Sequence, residues 1–210
     1  MGRREDNKRR TRQALIERGL ELYRDVGFEE TRVQDIVDKV GVSPATFFNY
    51  FPTKDAILDA KSDEATDLYI ALIEYELEQT EVPLDVRLGE ITRLVAESMC
   101  SDPAISRLLV TRTALFFGAE GPRADKDRAS QHLLADLFTQ GQSNGEIDPR
   151  HDPLQLAELF AAALILTTTN WLIEWFGETG QPLEERLIDA VDIFINGARA
   201  PTTTKSRSRR

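Results

Sequence analysis

Along most of this 210-residue chain, apolar side chains recur every three to four residues, the period of a helix buried on one side. The clearest case is Val33, Ile36, Val37 and Val40, at i, i+3, i+4 and i+7. Thr31 stands before them with Gln34 three places on, which predicts a capping box at the helix start. Gly41 follows the last periodic residue, where a left-handed C-cap costs least. Ser43 is a good N-cap, and Pro44 suits the first helical position because it has no amide hydrogen to leave unpaired. A second short helix is therefore predicted from Pro44 to Tyr50. At about 100° per residue, Phe47 and Phe51 project inward and Ala45 and Asn49 point away, with Thr46 and Phe48 flanking. Thr53 then caps a long helix running from Lys54 towards Gln79.

Helical signals continue to the end of the chain. Pro83-Leu84 opens a helix to Cys100, and Asp102-Pro103 opens another to Phe117. Gly118 to Pro122 breaks the pattern before a helix over Arg123 to Gly141. Pro153 starts an apolar helix ending near Gly177, and Leu183 to Arg199 forms the last. No run alternates with period two, so the fold class is all-α. The domains predicted are a helix-turn-helix unit over 1–60, a helical effector-binding and dimerisation unit over 61–199, and a disordered basic tail over 200–210. The last two helices carry more apolar residues than one stripe requires. A second copy of the chain would cover the surplus in a four-helix interface. Leu159, Ala163, Leu166, Trp175, Leu187, Ala190, Val191 and Phe194 are the candidate interface residues.

Two short helices around a tight turn can place one side-chain surface in the major groove of DNA. Asn can make a bidentate bond to adenine, and Ala or Thr methyls can meet a thymine methyl. A plain helical bundle with a merely solvated face is the alternative, but it has no need of so short a turn. The stretch resembles the DNA-binding domain of the tetracycline-repressor (TetR) family of bacterial regulators. The resemblance covers about the first 60 residues. It rests on a first helix from Arg10 to Gly27, on Phe28, Thr31 and Ile36, on the Gly41-Val42-Ser43 turn, and on Thr46 to Phe51 followed by Lys54. It implies that Thr31, Ser43, Tyr50 and Lys54 contact phosphates while Pro44, Ala45, Thr46, Phe48 and Asn49 approach bases. Phe48 stands where many members carry tyrosine. Lacking a hydroxyl, it has sugar or a thymine methyl to touch rather than a phosphate. The four-helix interface matches the dimer mode of that family, and two recognition helices related by a two-fold axis predict a near-palindromic operator.

A net charge of −10 argues against a nucleic-acid partner until its distribution is considered. Residues 1–60 hold 11 basic and 11 acidic side chains, whereas residues 61–199 hold 11 and 25. Arg3, Arg4, Lys8, Arg9, Arg10 and Arg12 cluster in an N-terminal arm suited to phosphates or the minor groove, or else merely solubilising. One cysteine, Cys100, and no apolar leader fit a cytoplasmic protein. The stretch from Leu156 to Ile173 reads as a buried helix, with no membrane partner expected.

A ligand-relieved repressor needs a small-molecule site. Met99, Arg112, Thr113, Phe116, Phe117, Thr167, Asn170 and Trp171 are the candidates, because they mix apolar bulk with isolated polar groups. Enzyme chemistry has weaker support. Gly141-Gln-Ser143-Asn-Gly145 matches a nucleophile elbow only formally, since helical periodicity and not a strand precedes it. His132 and His151 lack metal-ligand spacing, so no catalytic residue, metal or cofactor is expected. A protein-interaction scaffold would account for the apolar C-terminal helices but not for Ser43 to Lys54. An activator is the other regulatory alternative.

Overall fold

The computed structural model describes residues 2–112, 122–173 and 180–199, without the side chains at 112 and 122–124. All the regular elements among the described residues are helices: α1 (Arg3–Asp25), α2 (Val33–Val40), α3 (Pro44–Phe48), α4 (Asp55–Glu78), α5 (Leu84–Ser101), α6 (Pro103–Arg112), α7 (Pro122–Ser143), α8 (Pro153–Ile173) and α9 (Leu183–Ala198).

The apolar periodicity sorts itself into two cores. Leu15, Ile16, Tyr23, Phe28, Ile36, Val37, Phe47, Phe51, Ile57 and Leu58 form the core of the head, α1 to the start of α4. The body core gathers Leu84, Leu88, Ile91, Phe138, Leu156, Phe160, Leu187 and Val191, with Phe194 packed against it. There Phe138, Phe160 and Phe194 meet with centroids 5.7–6.1 Å apart, within the range for edge-on or tilted ring contacts. Buried Arg87 donates from Nη1 to the Glu76 carbonyl at 3.2 Å and to Gln140 Oε1 at 2.8 Å, linking α5 to α4 and α7.

Two elements bridge head and body. One is α4, which begins in one core and ends in the other. The second is α6, whose Ile105 and Leu109 are buried in the head core while Arg107 Nε donates to the Leu172 carbonyl of α8 at 2.8 Å. Arg24, at the end of α1, pairs with Asp102 at the α5–α6 junction, and Asp102 Oδ1 also accepts from the Ile105 amide at 3.2 Å.

Four local expectations are corrected. Helix α1 begins at Arg3 rather than Arg10, so the basic arm is helical. Helix α2 is not capped by a Thr31–Gln34 box. Arg32 is its N-cap residue, and the Asp35 carboxylate accepts from the Arg32 amide at 2.8 Å, while Gln34 bonds Asp38. Helix α3 stops at Phe48, with Asn49 as its C-cap. The N-cap of α4 is Lys54, whose side chain makes no capping bond, so Thr53 does not cap it.

Candidate DNA-binding surface

The turn between α2 and α3 forms as its residues demand. Gly41 lies at φ 78°, in the left-handed region, and the Gly41 and Val42 amides both bond the Val37 carbonyl, at 2.8 and 3.1 Å. Ser43 Oγ accepts from the Thr46 amide at 3.1 Å, the N-cap bond expected of it. It also shares a 2.9 Å hydrogen bond with the Thr46 hydroxyl. Phe47 is fully buried and Phe51 nearly so, and these two rings fix which way α3 faces. Burying one such ring is worth roughly 2–3 kcal/mol, enough to set the rotation of a five-residue helix. Pro44, Ala45, Phe48 and Asn49 are consequently exposed, while Thr46 and Tyr50 are half-buried.

Two expected phosphate contacts have other partners. Thr31 is 2% exposed and its hydroxyl donates to the Gly27 carbonyl at 2.6 Å. Lys54 Nζ donates to three carbonyls, Phe28 at 2.5 Å, Thr31 at 3.0 Å and Glu29 at 3.2 Å, and lies 4.3 Å from the centroid of the Phe28 ring. An ammonium group has three donors, and all three are engaged. The Lys54 carbonyl in turn accepts from the buried Tyr23 hydroxyl at 2.7 Å. Thr31 and Lys54 therefore knot the α1–α2 loop to the start of α4.

The helical arm adds charge beside α3. Arg4, Lys8 and Arg12 fall within about 80° on the wheel of α1, on the side that buries Leu15 and Leu22 further along. The Arg12 guanidinium sits 5.3 Å from the Phe51 ring centroid, next to the foot of α3. From Arg3 to the first buried residue, Leu15, α1 projects roughly 18 Å.

In the body, Met99, Thr167, Asn170 and Trp171 are half-buried. Thr113, Phe116, Phe117 and Trp175, and the side chain of Arg112, lie outside the described residues. Of the expected interface residues, Leu159 and Leu166 are 54% and 62% exposed, and Ala163 is half-buried beside them. Leu187 and Val191 are instead buried in the protomer's own core, with Phe194 packed on it, because one stripe of α9 takes up these apolar residues. Ile193, 76% exposed, was not among the expected residues; on α9 it forms an apolar flank with exposed Gly197 and half-buried Ala190, and Ile188 is exposed on the other flank. Ser143 is not an elbow nucleophile: it ends α7, and its hydroxyl donates to the Thr139 carbonyl at 2.9 Å.

The family model described as bacterial regulatory proteins, tetR family, matches residues 15–60. Transcriptional regulator AcuR of Cereibacter sphaeroides is 32% identical over 158 residues, covering 70% of this chain and 70% of that protein. HTH-type transcriptional repressor ComR of Escherichia coli is 24% identical over 152 residues, 70% of this chain and 72% of that one. Among solved structures, Thermus thermophilus FadR, a TetR-family repressor crystallised with lauroyl-CoA, aligns with a TM-score of 0.67 at 22% identity. That alignment covers 92% of this chain and 97% of FadR.

Proposed function

Since the chain belongs to the tetR family of bacterial regulatory proteins and is a DNA-binding transcriptional regulator, we propose that it is a cytoplasmic homodimeric repressor, released from a near-palindromic operator by a small molecule. The observation that carries this reading is the exposed face of α3, Ala45, Phe48 and Asn49, held outward by buried Phe47 and Phe51. A methyl, a ring and an amide on the exposed face of a short helix suit base edges in the major groove. Basic residues on the first turns of α1 take the neighbouring phosphates. Replacing Arg4 and Lys8 by alanine is expected to weaken binding to all sequences by the same factor. The slope of log K against log salt should fall by about 0.9 for each phosphate contact removed. A shift in preferred sequence would assign these side chains to bases instead.

Dimerisation uses Leu159, Ala163 and Leu166 of α8 with Ala190, Ile193 and Gly197 of α9. The centre of the outward side of α9 carries Glu185, Asp189 and Asp192, so its apolar flank supports the contact rather than its whole face.

Release follows from the two bridges. A ligand bound between α5, α6 and α8, near Met99, Thr167, Asn170 and Trp171, would move α6. Helix α6 carries Ile105 and Leu109 inside the head and meets Arg24 through Asp102 at its start. The ligand shifts the equilibrium only as far as it prefers one spacing of the two heads over the other. Footprinting on DNA selected from a random pool tests the assembly. Two protected half-sites with centres about 34–36 Å apart, one turn of DNA, are expected. A single asymmetric half-site occupied by a monomer would refute it.

A further inference from the structure

Building on the reading of α3 as the base-contacting helix, we infer that Phe48, with Ala45 beside it, selects thymine through its 5-methyl group. The half-site beneath them is then written in T·A pairs rather than in guanines. From Val40 to Thr53 the chain holds no charged residue, so the bidentate Arg or Lys contact to guanine cannot come from this helix. The Thr46 hydroxyl is engaged with Ser43, which leaves Asn49 as the freely presented polar group on the outward face.

Phe48 is 55% exposed, although the other two phenylalanines here, Phe47 and Phe51, are buried. Its ring stands edge-on to that of Phe47, with centroids 5.4 Å apart and planes at 85°. One side of the ring thus rests on a buried neighbour. Ala45 lies three residues earlier and is exposed, so a methyl and a ring edge form one apolar patch along α3, with Asn49 on its other side. On the major-groove edges of the base pairs, the thymine methyl is the apolar group that such a patch can cover. Cytosine carries no methyl on that edge and would leave the patch uncovered.

Replacing thymine by deoxyuridine removes only that methyl. The probes are the duplex selected by the wild-type protein from a random pool and its copies with uracil at each thymine in turn. Wild type is expected to lose about fourfold in affinity, the weight of one buried methyl, at one or two thymines in each half-site. Phe48→Ala, a change at an exposed position, should bind more weakly and treat uracil and thymine alike there. A selected sequence whose thymines all accept uracil without loss overturns the inference and leaves the regulator standing. Selection that returns no preferred sequence overturns both. The uracil scan on wild type needs no variant, so its outcome does not depend on how Phe48→Ala folds.

Discussion

Leu166→Glu combined with Ile193→Glu is expected to leave each protomer folded, to abolish the dimer and to weaken operator binding by at least about a hundredfold. Both side chains lie largely in water within the protomer, at 62% and 76% exposure, so the body core does not depend on them. In a two-fold interface each substitution appears twice, so four carboxylates would be brought into an otherwise apolar contact. The loss on DNA is larger than that of any one contact. When one head is bound, the second meets its half-site at a high effective concentration, and a monomer forfeits that gain. Sedimentation would report a halved mass, circular dichroism an unchanged helix content, and gel shift the lost affinity. A variant that remains a dimer with full affinity would move the interface away from α8 and α9.

The second large effect concerns Lys54. Lys54→Met keeps the length of the side chain and removes the charge, leaving the carbonyls of Phe28, Glu29 and Thr31 without their shared donor. Hydrogen bonds from a charged donor contribute about 1.5–3 kcal/mol, and the three here share one group. A loss of about 2–3 kcal/mol in unfolding free energy is therefore expected. DNA binding should fall for every sequence as the head loosens, with the salt slope unchanged at temperatures where the variant is folded. Urea unfolding and a salt titration of binding separate the outcomes. Unaltered stability, with a slope lower by about 0.9 per site, would return Lys54 to the phosphates and contradict the knot.

These residues also mark where sequence reading succeeds and where it stops. The Gly41 turn and the Ser43–Pro44 start were legible because each is decided by the residue's own backbone preference or by a partner three or four places away. The direction of α3 was legible for a similar reason: two phenylalanines four apart leave a short helix one way to face. Lys54 was not legible in this way. Its three acceptors lie more than twenty residues earlier, in the loop that the Tyr23–Phe28 contact shapes, and no local pattern announces them. Thr31 had two local options, Gln34 ahead or Gly27 behind, and the fold of the loop chose the latter. The basic arm looked irregular because it has no apolar period, yet charged residues are adequate helix formers, and α1 runs on once its core half has nucleated it. On α9 the count of apolar residues misled. Leu187, Val191 and Phe194 lie close together on the wheel and belong to the protomer's own core, whereas Ile193 lies apart from them.

The central claim is that the outward side of α3 reads base pairs, and Asn49 is its one freely presented amide. Selection of bound DNA from a random pool, run in parallel with wild type and Asn49→Ala, tests this directly. The wild-type motif should be a near-palindrome. The variant should keep its spacing, bind more weakly by about 1–3 kcal/mol, and lose the preference for adenine at one position in each half-site. An identical preferred sequence from both proteins would contradict the account.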